Sequence, residues 1–297
     1  MTIVLNKPEI DGLADAVGVL REWQYEGAPT QLHPGDLGWF WRAGAEATAA
    51  AVRTWSRAGR ILAVGLLDGP DLLRLTTAPD ARQDEELARQ LVADVTDPAR
   101  GVLPAGRVNV EAPPNTLFPD LLGAEEGWPL DDPWTPLRRD LTAPVPAPDL
   151  RIEEVGPARA HCFAALLGAA FDGSRFTEDS WRVMASGVPY ADARCLLAYD
   201  DGGDGGGHGG GDAVAAVTVW SAGPGRPGIL EPMGVHRDHR RRGHGEQITL
   251  AAAAALRDLG ASSALVATPS SNTAAVATYE SAGFEPREET RDRYREA

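Results

Sequence analysis

The chain has 297 residues, 43% of them hydrophobic, and a formal net charge of −15. That length suits two ordinary domains with real cores, and the acidity excludes nucleic acid or an anionic membrane as a general partner. The opening "MTIVLNKPEIDG" lacks the basic and apolar regions of a signal peptide, and no apolar run approaches the ~20 residues that span a bilayer, so a cytoplasmic protein is expected.

In chain order, "IDGLADAVGVLREW" reads as a helix and "DLGWFWR" as a strand, with Trp39 and Trp41 on one face and Phe40 on the other. A helix "AEATAAAVRTWSRAG" precedes the strands "RILAVGLLDG" and "DLLRLTTAP". A helix "DEELARQLVADV", a strand "RVNVEAP" and the helical stretch "NTLFPDLLGAEEGW" complete this half. "TAPVPAPD" at 142–149, with three prolines among small residues, reads as a semi-rigid linker and a domain boundary.

Beyond it come a strand "LRIEEV", helices "PARAHCFAALLGAAF" and "TEDSWRVMAS", and the strands "RCLLAYD", "AVAAVTVWS" and "GILEPMGV". The glycine-rich stretch at 200–212 is read as a floppy hairpin loop, and its His208 lacks any second ligand of suitable spacing. A helix "GEQITLAAAAALRDLG", a strand "SSALVAT" and a helix opened by Asn272 and closed by Gly283 follow. The tail "EETRDRYREA" reads as a last strand or a frayed end. Three consecutive strands and then strand–helix alternation imply a mixed α/β sheet. The two halves share a rhythm, Asn115 with Gly127-Trp128 echoing Asn272 with Gly283-Phe284, which reads as an internal duplication. Cys162 and Cys195 have no metal-like spacing and read as reduced thiols; no metal is expected.

The stretch "HRDHRRRGHGE" at 236–246 concentrates basic residues and two glycines inside an acidic chain. It lies between an apolar strand ending at Val235 and a helix starting near Gly243. Helix N-termini carry unpaired N–H groups and a positive dipole end, so an anion binds there. Gly243 and Gly245 admit a phosphate close to the backbone, and the arginines add charge. A P-loop would need Lys-Ser or Lys-Thr, and a dinucleotide fingerprint would need a glycine where Ile248 stands. The bland reading is a solvated basic turn.

Arg240-x-x-Gly243-x-Gly245 on a strand–helix turn, followed by Asn272, Ala275, Tyr279 and Gly283-Phe284, resembles the GNAT N-acetyltransferase superfamily. The resemblance covers about 150–297 and implies α/β (α+β) architecture. Together with the duplication it implies two tandem GNAT-like domains, each a mixed, mostly antiparallel sheet flanked by helices. A degenerate domain would occupy 1–141, the linker 142–149 and the catalytic domain 150–297. The first half lacks the glycine turn, and Leu122 stands at its tyrosine offset.

Carried over, the resemblance sets the backbone of Met233, Gly234 and Val235 against the pantetheine arm of acetyl-CoA. Arg240, Arg241, Arg242, Gly243, His244, Gly245 and Glu246 surround the pyrophosphate, Asn272 and Ala275 lie along the arm, and Tyr279 sits near the sulfur as general acid. No carboxylate follows "SSALVAT" directly, so Glu231 is the candidate base. The implied activity is direct ternary-complex acetyl transfer to a primary amine of a small molecule, a cationic amino sugar being one acceptor that suits the acidic surface. Transfer to a protein N-terminus or lysine, and a non-catalytic acyl-CoA-binding role, are the alternatives. Monomer and homodimer both stay open.

Overall fold

The computed structural model describes residues 2–200 and 211–296, so the glycine-rich stretch around His208 lies outside the described residues. In the first half the elements are β1 (Val4–Asn6), α1 (Leu13–Glu22), α2 (Pro34–Phe40), α3 (Ala45–Ala51), β2 (Val52–Arg57), β3 (Arg60–Leu67), β4 (Leu72–Thr77), α4 (Glu85–Thr96), β5 (Val108–Glu111), α5 (Leu117–Ala124) and β6 (Leu130–Asp140). The second half contributes β7 (Arg151–Glu154), α6 (Ala160–Ala170), α7 (Glu178–Ala185), β8 (Ala193–Asp200), β9 (Asp212–Ser221), β10 (Gly228–Val235), α8 (His244–Asp258), β11 (Ser263–Pro269), α9 (Thr273–Ser281), β12 (Glu285–Pro286) and β13 (Thr290–Arg295).

The strands join one sheet in the order β1-β2-β3-β4-β5-β13-β6-β11-β10-β9-β8-β7, with β12 beside β6. The pairing repeats: three antiparallel steps and a closing parallel one, β4 with β5 in the first half and β10 with β11 in the second. The last strands are exchanged. β6, which precedes the linker, pairs along all of β11, while β13, at the chain's end, pairs with β5.

Arginines fasten both exchanges. On β13, Arg293 donates to the carbonyls of Pro119 and Trp128, and Arg295 to those of Gly106 and Pro104. On β6, Arg139 donates to the Ala282 carbonyl at the end of α9. The 142–149 stretch is irregular, and the hydrogen-bonded sheet crosses it in both directions.

Two readings of the first half are corrected. "DLGWFWR" is helix α2, because "HPGD" builds a strong start: Pro34 sits in the first turn, His33 Nδ1 accepts from the Gly35 N–H, and Asp36 accepts from the His33 N–H. Seven residues are too few for periodicity to separate helix from strand. The helix expected over "AEATAAAVRTWSRAG" stops at Ala51, and "VRTWSR" is β2, with Trp55 fully buried. β-branched and aromatic residues there favour a strand over helix continuation.

The core lies in three buried clusters. One holds residues from Ile3 to Trp128; a second combines Leu137 and Leu141 of the first half with α8, α9 and β11. The third, on the α6–α7 side, centres on Trp220. α2 lies against that last face. A Cβ on Gly35 or Gly38 would collide with the Trp220 ring, so the two glycines, one turn apart, let the helix reach it. Trp39 stacks on Phe176 at 5.2 Å, and Trp41 lies against Gly187. Trp39 and Trp41 therefore meet the second half, from the end of a helix, while Phe40 packs on the first half's own core.

Candidate active site

β10 and β11 pair at only two positions, Gly228 with Ala264 and Ile229 with Leu265, and then part. From Met233 to Val235, β10 stays paired with β9 and has no β11 partner, leaving an open backbone edge. Just before it, Glu231 and Pro232 together oppose Thr218 in a bulge, consistent with proline's inability to donate to a ladder. The Trp220 indole N–H holds this bulge by donating to the Glu231 carbonyl at 2.8 Å.

Beyond Val235, the turn has left-handed residues at Arg241 (φ 63°) and Gly243 (φ 83°), a geometry that gathers N–H groups into an anion-binding hollow. α8 then begins at His244 with no side chain capping it. An extended arm ending in a pyrophosphate fits these features: an unpaired strand edge followed by an uncapped helix start. The corresponding helix of the first half, α4, is different. Asp84 caps it through the Leu87 N–H and is itself paired with Arg57, so a carboxylate already occupies that N-terminus. Leu122 is fully buried among apolar neighbours, and Asn115 precedes the α5 cap rather than forming it.

The basic residues divide by task. Arg240 donates to the Ala170 carbonyl, and Arg237 to those of Ala169 and Gly168, so both secure the end of α6. Arg241 and Arg242 are exposed and make no ion pair with the described residues. His244 is buried beside Asp200 (3.6 Å), with its ring 6.2 Å from that of His239. Gly245 is glycine because a Cβ would press on Thr278 of α9, whereas around Gly243 there is open space. Glu246 lies in the first turn of α8. Asn272 caps α9 by accepting from the Ala275 N–H at 3.2 Å, so its oxygen is committed to the helix and its amide N–H groups are what remains for an arm.

The charge reversals Arg241→Glu and Arg242→Glu together should raise the KM for acetyl-CoA at least ~10-fold with little change in Tm. Arg240→Ala should instead lower Tm, because it uncaps α6. Thermal melts and acetyl-CoA kinetics on the three proteins check this; a double reversal without effect on KM removes the turn from the site.

Tyr279 is only 6% exposed, and its position is set by the end of α9: the Phe284 N–H donates to its carbonyl and Gly283 takes φ 75°. Its hydroxyl has no hydrogen-bond partner among the described residues, and it lines a cavity of about 980 Å³ with Glu231, Met233 and residues of the first half. Burial, with the Glu231 charge second, raises the Tyr279 hydroxyl to about 12. Glu231 is itself pushed up to about 8, chiefly by burial and then by the neighbouring Asp36 carboxylate, against the pull of Arg74.

Several residues of this cavity escaped the sequence reading. Asp36 from α2 and Arg74 from β4 pair at 2.9 Å, and Glu111 and Asp292 come from β5 and β13. His33, fully buried and held neutral by burial at about 4, donates from Nε2 to the Pro227 carbonyl and so ties α2 to the second half. The available signal was a lone charge at an apolar strand, in "DLLRLTT" and "VNVE".

A mixed sheet flanked by helices, with two parallel strands parting beside an uncapped helix start, is acetyltransferase architecture. Residues 163–284 match the family model described as Acetyltransferase (GNAT) family. That segment of the second half is thus a match to a GNAT acetyltransferase domain. A tandem GNAT protein from the clavulanic acid biosynthesis pathway is similar in fold over 98% of both chains, at 17% identity and a TM-score of 0.63. A GCN5-related N-acetyltransferase from Sphaerobacter thermophilus is similar over 99% of this chain and 95% of its own, at 18% identity and 0.58. A GNAT-family acetyltransferase from Colwellia psychrerythraea is similar over the whole of both chains, at 14% identity and 0.58. No curated protein matches the sequence. No helix of the described residues is long and apolar enough to cross a membrane, and none of their His, Cys, Asp or Glu groups is arranged to hold a metal.

Proposed function

We propose that the protein transfers an acetyl group from acetyl-CoA to a primary amine of a small cationic molecule bound between the two halves. The observation that carries this reading is the presence of Glu231 and the unpartnered Tyr279 hydroxyl on one cavity wall, next to the open edge of β10. A cavity of about 980 Å³ walled by both halves suits a small molecule better than a protein chain. In this reading 150–297 is the catalytic half, and 1–141, with Asp84 in its helix start and Leu122 at its tyrosine position, shapes the acceptor site without chemistry of its own.

Bound acetyl-CoA supplies an acetyl group activated as a thioester. Met233, Gly234 and Val235 would hold its arm by the open strand edge, and Arg241, Arg242 and the first N–H groups of α8 its pyrophosphate. The amine nitrogen forms the new bond to the acetyl carbon as the carbon–sulfur bond breaks. Glu231 takes the amine proton, and Tyr279 gives its phenol proton to the departing sulfur. The two steps assist each other: once Glu231 is neutral, one cause of Tyr279's raised value disappears and the phenol becomes a stronger acid.

The test is thiol release from acetyl-CoA across a panel of small amines, peptides and no acceptor, followed through pH. With a small amine, kcat/KM should rise with pH through a midpoint at about 8, because Glu231 must be ionised in the free protein. The kcat midpoint should lie lower, since a bound cation favours the charged carboxylate. Glu231→Gln should remove that inflection. Turnover of peptides alone would move the acceptor to protein, and acetyl-CoA binding without turnover of any amine would leave a binding protein.

A further inference from the structure

Around Arg74 the cavity gathers more acid than that one guanidinium can balance. Arg74 faces Asp36 at 2.9 Å, Asp68 at 3.2 Å, Glu111 at 3.5 Å and Glu231 at 3.7 Å. Asp292, brought in by the exchanged β13, adds a fifth carboxylate and has no hydrogen bond or ion pair among the described residues. Of the other arginines lining the cavity, Arg138 pairs with Glu26 and Arg82 with Tyr25 and Gln31, while Arg287 shares the lining with Glu288. Among the described residues, Arg74 is the one cation that bears on Glu111 or Asp292. Into this same cavity the buried Tyr279 side chain presents a hydroxyl without a partner, an independent sign that a ligand completes the site.

We infer that the acceptor carries two amino groups, one presented to Glu231 and Tyr279 and the other bound as an ammonium by Glu111 and Asp292. This rests on the acetyl-transfer reading and adds to it a second subsite, which selects small diamines over monoamines. The geometry limits their length. Glu111 and Glu231 touch one guanidinium, so their carboxylates lie within about 10 Å of each other, a gap that a short diamine bridges. Burial, then repulsion from Glu111, holds the Asp292 carboxyl up at about 7, and burial likewise raises Glu111. An ammonium placed between them relieves that repulsion and favours the ionised pair. Asp36 and Asp68 stay with Arg74, which keeps the guanidinium from neutralising the subsite completely.

The experiment compares hexamethylenediamine with n-hexylamine as acceptors at saturating acetyl-CoA. The unmodified protein should favour the diamine at least ~10-fold in kcat/KM, mainly through KM. Glu111→Gln and Asp292→Asn should each reduce that ratio about tenfold. Asp292 has no partner to lose, so its variant keeps the fold even if Glu111→Gln weakens it. A ratio near one in the unmodified protein, or a ratio unchanged in both variants, overturns the inference while leaving acetyl transfer intact. Calorimetry with CoA present separates the remaining cases. Diamine binding that Asp292→Asn weakens, without turnover of any amine, supports the subsite and defeats the acetyl-transfer reading alone. Neither binding nor turnover of the diamine overturns the subsite.

Discussion

Tyr279→Phe should lower kcat by about 100-fold or more, within the range that a positioned general acid contributes, while changing the KM for acetyl-CoA less than about threefold. The substitution removes one oxygen and keeps the ring that packs beside Phe284 at 5.9 Å. Because the hydroxyl has no partner in the described structure, its loss should leave Tm unchanged or slightly higher. A chemical role and a packing role therefore predict opposite patterns. Retained stability with lost turnover identifies the phenol as a reacting group, and an unchanged kcat removes it from the mechanism.

The second large effect concerns the exchanged strands. Residues 150–297 expressed alone should be insoluble or molten, even though they contain the turn, Tyr279 and Glu231. All seven residues of β11 pair with β6, which lies before residue 150, and the loss of β6 leaves that edge bare beside the parted strands. β13 would lose both of its neighbours, β5 and β6. A fragment starting at residue 129 restores β6 and should be markedly more soluble than one starting at 150. It would still lack Asp36, Arg74 and Glu111, and so should bind acetyl-CoA better than it acetylates an amine. Solubility, near-UV circular dichroism and acetyl-CoA titration of the two fragments decide this. A well-folded 150–297 fragment would mean that β13 can take the place of β6 beside β11.

The second half was largely legible because its signals are local. A strand that ends at Val235, a glycine turn and an alanine-rich helix closed at Gly260 are each specified within a few residues, and so are the Asn272 cap and the Gly283 stop of α9. The first half was less so. α2 is short, and its aromatic residues suit a strand as well as a helix until the His33–Asp36 cap is recognised. β6 passed unread because it carries Pro133 and Pro136, residues that argue against an interior strand. It is one nonetheless: its prolines accept where they cannot donate, the Pro133 carbonyl from the Ser270 N–H and the Pro136 carbonyl from the Arg287 N–H.

The sequence by itself therefore determined the mixed α/β class, the repeated rhythm, the basic glycine turn at 240–246 between strand and helix, and Tyr279 and Glu231 as the pair to examine. The tertiary structure alone decided which strands complete which half, that Arg237 and Arg240 serve α6, and that Asp36, Arg74, Glu111 and Asp292 line one cavity with Glu231. The physical reason is range. Caps, turns and periodicity are set by neighbours a few residues apart, whereas the cavity between the halves is assembled by pairings such as Arg293 with Val110, which no local pattern encodes.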